Sequence, residues 1–301
     1  MNEKIIKLKK ELGYNINQNE NLSRYSWFNL GGPAKILFKP KNKDEIIKFL
    51  NYLEDKKEIF CLGAGSNTLF RDGGFKGVII KLSSKFSFIN LLDNNILEVG
   101  AATLDKTLSN FAAKNGLGGL EFLSCIPGSI GGAIVMNSGC YGDEISNHLI
   151  SLKGLDFEGK EREIDRNQIE FFYRGTSLPR DLIILSAKFK CNNEKKENIN
   201  NKINKYIAQK KKAQPSQVKT CGSTFKNPEK FKAWKLIKDS GCSEITVGKA
   251  SISKKHSNFF INDGGASSGD IEKLIKTVQN KVLEKYKVNL DLEIKLIGDS
   301  E

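Results

Sequence analysis

Two glycine-rich stretches, each entered from apolar residues, set the terms on which this chain can fold. The first, Gly63-Ala64-Gly65-Ser66-Asn67, follows Ile59-Phe60-Cys61-Leu62. The second runs from Ile126 through Pro127-Gly128-Ser129-Ile130-Gly131-Gly132-Ala133 to Gly139 and carries no charge. A strand feeding a small-residue loop brings several backbone N–H groups together, which suits a phosphate. Glycine allows that approach because it lacks Cβ and tolerates positive φ. The first loop is not a dinucleotide fingerprint, since the third glycine of G-x-G-x-x-G falls at Thr68. Nor does a Gly-Lys-Ser/Thr follow to make a Walker loop. An ordinary strand–turn explains the first loop as well as a phosphate does, and close backbone packing would explain the second. Two such loops in one chain suggest a pyrophosphate held between two lobes by oriented amides. A third pair, Gly31-Gly32 between Leu30 and Pro33, serves either reading.

Between these loops, strand-like and helix-like segments alternate. Residues 34–40, 59–62 and 78–82 read as strands, and a new unit begins over residues 95–99. Ile46, Ile47, Leu50 and Leu53 recur at helical spacing over residues 44–56, and residues 104–115 form a second helical pattern ending at Gly116. Residues 1–20 read as a leader helix and a polar turn. The Asn- and Lys-rich stretch 191–212 reads as a surface helix and connector. Residues 290–297 (LDLEIKLI) alternate as a strand. This pattern implies an α/β or α+β architecture with a domain boundary near residue 205.

With 301 residues, 39% hydrophobic and 28% charged, the chain is globular. No apolar run approaches the ~20 residues of a membrane span. The opening MNEKIIKLKKELGYN lacks a signal-peptide core, so a cytoplasmic, membrane-free protein is expected. The net charge of +13 raises the question of a polyanionic partner. However, only six of the 48 basic residues are arginine, and the lysines are spread through the chain. Duplex readers favour arginine, so no nucleic-acid partner is expected, and a small anionic ligand fits better. The six cysteines form no CxxC pair and only two histidines exist, so no metal site is expected and the thiols read as reduced apolar residues. No coiled coil or apolar patch is legible, and a monomer is expected.

Three residues carry candidate chemistry. Arg174, in Phe171-Phe172-Tyr173-Arg174-Gly175-Thr176, could be held for an anion, or its stem could simply cover the aromatics. Ser223, in Cys221-Gly222-Ser223-Thr224-Phe225-Lys226-Asn227-Pro228, could donate a proton or be a turn serine. Glu293, between Leu292 and Ile294, could face a ligand or solvent. Nothing local joins the three, and no Ser–His–Asp or Cys–His arrangement is evident.

Taken together, the strings NLSRYSWFNLGGPAK, LGAGSNTLFRDGGFKGVIIKL, LSCIPGSIGGAIVMNSGCYGDEI, FFYRGTS, GSTFKNP, KHSNFFIN and LDLEIKLIG resemble one family. It is the UDP-N-acetylenolpyruvoylglucosamine reductases, also called UDP-N-acetylmuramate dehydrogenases. The resemblance runs from about Asn21 to Gly298, with the motifs in the family's order. It implies an α+β protein with a two-lobed FAD-binding domain of the vanillyl-alcohol-oxidase type over 1–204 (lobes about 20–82 and 83–204), followed by a smaller α+β substrate-binding domain over 205–301. The chain has no long insertion between Arg174 and Ser223, and so resembles the shorter of the family's two types. The activity implied belongs to peptidoglycan precursor synthesis. NADPH reduces bound FAD, which reduces the enolpyruvyl group of UDP-N-acetylglucosamine enolpyruvate to give UDP-N-acetylmuramate.

By motif position, the resemblance implies that Ser223 protonates C2 of the intermediate. Arg174 and Glu293 are implied to polarise the carboxylate and stabilise the enol. FAD contacts are implied for Gly31, Gly32, Gly63, Gly65, Ser66, Asn67, Pro127, Gly128, Ser129, Gly131, Gly132 and Ala133, with Arg174 a further candidate. Asn227 and Lys211 are implied candidates for the UDP-sugar. The residue types suit the chemistry: a fixed arginine stabilises charge pushed onto a carboxylate, and a carbanion-like carbon takes a proton even from a serine. The chain departs from the family at Lys210–Lys212, where an arginine is usual, at Lys219-Thr220-Cys221, where P-S-A is common, and over residues 240–250. These departures bear on nucleotide contacts and leave the three catalytic positions intact. The alternative is another FAD-dependent oxidoreductase of the same fold. Such enzymes often attach flavin through a His or Cys in the glycine loop, and residues 63–67 contain neither.

Overall fold

Six α-helices lie among the residues that the computed structural model describes, which are 8, 11 and 15–300. They are α1 (Lys43–Tyr52), α2 (Asp105–Lys114), α3 (Ile130–Val135), α4 (Lys196–Ala213), α5 (Ala233–Asp239) and α6 (Ser268–Tyr286). Local signals set several of the helix ends. Asn42 caps α1 by accepting the Glu45 N–H, and Ile46, Phe49 and Leu50 form its buried face. Helix α2 ends at Lys114 and Gly116 follows with φ 70°. Ser267 and Asp270 form a reciprocal capping box at the start of α6.

The chain divides into two compact units that are not contiguous in sequence. The first comprises residues 1–18, 36–64 and 77–209, and the second comprises 19–35, 65–76 and 210–301. The linear division at 204/205 read from the sequence falls close to the 209/210 crossing, but it misses the two early segments that join the C-terminal part. The physical reason is non-local pairing: the strand Lys295–Ile297 pairs in parallel with Thr68–Phe70.

The first unit contains a five-stranded antiparallel sheet and the parallel pairing of Ile59–Cys61 with Phe75–Ile80. Five strands run in the order Glu161–Asp165, Leu149–Asp156, Leu182–Lys190, Ile96–Gly100, Ile89–Leu92. Helices α2 and α3 cover this sheet around a core of Val99, Leu108, Phe122, Ile130, Ile134, Leu152 and Phe189. A second core, with Phe38, Ile46, Phe49, Leu50, Val78, Ile80 and Leu155, lies under α1, where the Phe38 and Phe49 rings stack at 4.0 Å. The first unit thus holds two separate cores, and Leu155 and Ile183 of the long strands belong to the second of them.

The second unit holds a three-stranded sheet, Thr246–Val247, Ala250–Ile252 and Phe260–Asn262, with α5 and α6. Its core contains Phe28, Leu69, Phe225, Ile237, Phe260, Ile271, Leu274, Val278, Leu290 and Ile294. Arg71 reaches Glu272 of α6 through two hydrogen bonds of 2.8 and 2.9 Å, pinning the loop after Thr68–Phe70 to that helix.

Three sequence expectations need correction. The leader helix falls largely on residues outside those described, but Ile16–Asn21, expected to be a polar turn, is an edge strand. Ladder hydrogen bonds hold it, and only Ile16 is buried within it. The connector helix starts at Lys196 rather than Cys191, because Asn192–Asn193 pairs with Leu117–Gly118. Residues 290–297 form a strand only over Lys295–Ile297. The N–H groups of Glu293 and Ile294 both point at Thr224 O, at 2.9 and 3.5 Å, so no regular ladder can form there.

Candidate active site

In the first unit the structure brings the two glycine loops together. A Cβ added at Gly63 would lie 2.8 Å from Ser129 Oγ, so the strand end carrying Gly63 abuts the Pro127–Ala133 loop. Ser129 is buried, and its Oγ has no hydrogen-bond partner among the described residues. At Gly132 the nearest atom to an added Cβ is the same Oγ, at 3.8 Å, so the space beside it is kept clear. The Lys81 ammonium donates to Gly63 O at 2.5 Å. Burial, helped by the charge of Lys39, lowers its pKa. An orphaned hydroxyl, two glycines without side chains and a nearby cation fit an anionic group held by backbone amides.

Asp105 stands behind this loop and sequence reasoning missed it. It is the first residue of α2, and its N–H donates to Gly128 O at 3.2 Å. Its carboxyl lies so close to Gly128 that an added Cβ there would sit 2.4 Å from Oδ2. The side chain is fully buried, and neither carboxyl oxygen has a hydrogen-bond partner among the described residues. A helix N-terminus favours carboxylate by about 0.3–1 kcal/mol. Burial outweighs that and pushes the Asp105 pKa well above the ordinary carboxylate range. The sequence showed only an acid at a helix start, which normally means a solvated charge.

A stability test follows. The folded chain holds the Asp105 proton to higher pH than the unfolded chain does. Stability therefore falls as pH rises from the ordinary carboxylate pKa, about 4, towards the folded value. Asp105→Asn removes that titration. Its melting temperature should exceed the parent's at pH 8, by about 1–3 kcal/mol of stability, with the gap closing near pH 4. A gap that stays constant from pH 4 to 8 would show that Asp105 is not held as the neutral acid.

Arg174 belongs to the same unit. The strands Phe171–Phe172 and Gly175–Thr176 form a hairpin whose turn residues are Tyr173 and Arg174. Arg174 has φ 59°, a left-handed conformation costly for a residue with Cβ. A Cβ at the neighbouring Gly175 would lie 2.1 Å from the exposed Phe172 ring, so any side chain there would displace that ring. Arg174 Nη2 donates to Gly139 O at 3.0 Å, and the guanidinium lies 4.8 Å from the Tyr173 ring centroid. Thr176 Oγ1 donates to Val135 O, and Asn137 Nδ2 to Phe172 O, so the hairpin is tied to the segment that leaves the glycine loop.

The second unit holds Ser223 and Glu293. Both are half-buried, and Gly222 before the serine has φ 78°. Glu293 N–H donates to Thr224 O at 2.9 Å, while Glu293 O accepts from Asn67 Nδ2 at 2.9 Å. Asn67, expected at the cofactor, therefore also holds the backbone of the glutamate. Gly65 fits tightly, with φ 72° and Tyr25 O only 1.8 Å from where a Cβ would stand. Cys221 is buried, with its thiol pushed up to about 11 by burial. It donates to Thr68 O at 3.3 Å, beside Ser26 Oγ on the same carbonyl.

Gly31, Gly32, Asn227 and Lys211 have close neighbours or partners within the protein. Gly31 and Gly32 press against Phe70 and against Asp72 O, so close packing accounts for both glycines. Asn227 Oδ1 accepts from Ala233 N at 2.9 Å and holds the start of α5. Lys211 is exposed on the last turn of α4, and its carbonyl accepts from Lys255 Nζ at 2.6 Å. Ser66 is half-buried in the turn between Gly65 and Asn67.

Comparison with known proteins decides the family. Residues 214–297 match the C-terminal domain of UDP-N-acetylenolpyruvoylglucosamine reductase, and residues 34–165 match an FAD-binding domain. A UDP-N-acetylenolpyruvoylglucosamine reductase of Pelagibacter ubique (strain HTCC1062) is 46% identical over 298 residues, covering 98% of this chain and 99% of the relative. This chain belongs to the UDP-N-acetylenolpyruvoylglucosamine reductase family. A reductase of Rickettsia bellii (strain RML369-C) is 44% identical over 278 residues, 92% of each protein. The crystal structure of the reductase from Thermus caldophilus matches with a TM-score of 0.82 at 31% identity, covering 93% of this chain and 98% of that one.

The reductase family assignment fits the α+β fold read above, an FAD-binding domain followed by the family's own C-terminal domain. The Gly63 and Pro127–Ala133 cradle, with Ser129 Oγ orphaned at its centre, suits the phosphates of that cofactor. Among the described residues no cluster of His, Cys, Asp or Glu could hold a metal ion, and no helix is long and apolar enough to cross a membrane.

Proposed function

We propose that this reductase uses NADPH to reduce the enolpyruvyl group of UDP-N-acetylglucosamine enolpyruvate, giving UDP-N-acetylmuramate. FAD, when bound, supplies the hydride chemistry that no side chain can perform. In the first unit Gly63, Pro127, Gly128, Ser129, Gly131, Gly132 and Ala133 would hold it, and Gly65, Ser66 and Asn67 continue the same loop. Hydride addition at C3 of the substrate pushes negative charge onto its carboxylate. Arg174 stabilises that charge as a fixed cation. Glu293 steadies the enol, and Ser223 gives its proton to C2, so the product carries one new C–H bond at each carbon. Asn227 and Lys211 are assigned to the nucleotide sugar.

One observation carries this reading. The Glu293 N–H donates to Thr224 O at 2.9 Å, so the backbones that carry the proposed carboxyl and the proposed proton donor are joined one residue from Ser223. The reading places the chain in the cytoplasm as a monomer, where NADPH and nucleotide sugars are available.

The test is NADPH oxidation by the purified, FAD-replenished protein, with and without UDP-N-acetylglucosamine enolpyruvate. Oxidation should depend on that substrate and should favour NADPH over NADH. Oxidation with oxygen alone as acceptor would favour an oxidase of the same fold. Failure to retain flavin would overturn the assignment of the glycine loops.

A further inference from the structure

The segment Lys255-His256-Ser257-Asn258-Phe259-Phe260 runs beside the serine motif. Asn258 is 3% exposed, which demands partners for its amide. It finds them on a single residue of the serine motif. Asn258 Nδ2 donates to Phe225 O at 2.7 Å, and Phe225 N donates to Asn258 Oδ1 at 3.0 Å. The side-chain amide thus acts as a neighbouring strand would, using one donor and one acceptor. The Asn258 backbone adds a third bond, accepting from Thr224 N at 2.8 Å. Ser223 itself bridges Phe259.

The opposite neighbour of this segment is the glutamate strand. Thr224 O accepts from Glu293 N, Phe225 bridges Leu292, and Lys226 N donates to Asp291 O at 2.8 Å. No regular ladder joins these pieces, because the pairing is made of isolated bridges. In such a join the register of Ser223 against Glu293 rests on three backbone bonds, from Glu293 and Ile294 N–H to Thr224 O and from Lys226 N–H to Asp291 O, while the Asn258 amide holds the same segment from its other edge.

We propose that Asn258 is a positioning residue for the reaction: its amide clamps Phe225 and thereby fixes Ser223 relative to Glu293. This rests on the assignment of Ser223 as proton donor. A purely structural asparagine would lower stability and leave turnover per folded molecule unchanged. A positioning asparagine changes turnover through Ser223.

The test uses full-length, FAD-loaded protein. Asn258→Ala should lower kcat about 10–100-fold with KM changed less than threefold. Bleaching of the flavin by NADPH without substrate should keep its parent rate. Amide exchange in peptides spanning 222–226 and 291–296 should quicken at least tenfold, while the rest of the second unit is unchanged. The double variant Ser223→Ala/Asn258→Ala should be no slower than Ser223→Ala, because both act through one proton transfer. Asn258→Asp keeps the acceptor for Phe225 N–H and loses the donor, so it should fall between parent and alanine variant. It carries the test if the alanine variant does not fold. Parent kcat in either folded variant, or a double variant slowed by the full product of the two effects, would overturn the inference. Parent turnover in Ser223→Ala alone would instead overturn the reading of Ser223, and the inference with it.

Discussion

Ser223→Ala should retain FAD, bleach its flavin with NADPH at the parent rate, and lose about 10²–10⁴-fold in substrate turnover, the range for a positioned general acid. The backbone around residue 223 gives grounds for expecting so clean a separation. Ser223 lies between Gly222, at φ 78° with open space around it, and Thr224, whose N–H and C=O are both bonded. Neither arrangement depends on the serine hydroxyl, so stability should change by less than about 0.5 kcal/mol. Cys221, one residue further back, is anchored to Thr68 O independently of the serine. A turnover loss without a loss of flavin or stability would mark Ser223 as acting on substrate. A variant with parent kcat would remove it from the mechanism.

The sequence displayed most of the local structure because that structure follows from periodicity. Helix α1 buries Ile46 and Leu50 of the apolar set read from the sequence and adds Phe49, while Ile47 is half-buried and Leu53 is the C-cap. The strands that precede the glycine loops are short apolar runs bounded by turn residues. What the linear reading could not show was which segments belong together. Residues 19–35 and 65–76 join the C-terminal unit through pairings such as Leu69 with Leu296, more than two hundred positions apart. A composition shift near residue 205 marks a connector helix and carries no information about such returns.

The candidate site was legible by residue type and opaque by role. A glycine in a motif says only that a side chain is unwelcome. The structure distinguishes Gly32, where Asp72 O lies 2.0 Å from any added Cβ, from Gly132, where only Ser129 Oγ lies within 4 Å of one. The first is explained by packing and the second leaves room for a ligand. Asp105 was hidden because an acid in the first turn of a helix is ordinary, and only burial makes it unusual. Asn258 lay inside a recognisable string, yet its work is to imitate a strand, which sequence alone cannot reveal.

Arg174 provides the second large effect, and its backbone makes the test discriminating. At φ 59° a residue with Cβ costs about 1–2 kcal/mol relative to an unstrained position, a cost glycine avoids. If the position served only the turn, glycine would be the better residue. Arg174→Gly should therefore melt higher than Arg174→Ala, by about 1 kcal/mol of stability, yet be as poor a catalyst. Both should lose about 10²–10³-fold in kcat, the scale of removing one group that stabilises transition-state charge. Arg174→Lys should recover only part of that loss. It keeps a charge but lacks the planar fork that donates to Gly139 O at 3.0 Å while lying against Tyr173. Measuring kcat and melting temperature for all three variants separates the two roles. A glycine variant more stable than alanine and still active would make Arg174 a turn residue. A glycine variant more stable and inactive would mean that the strain is kept for the guanidinium it positions.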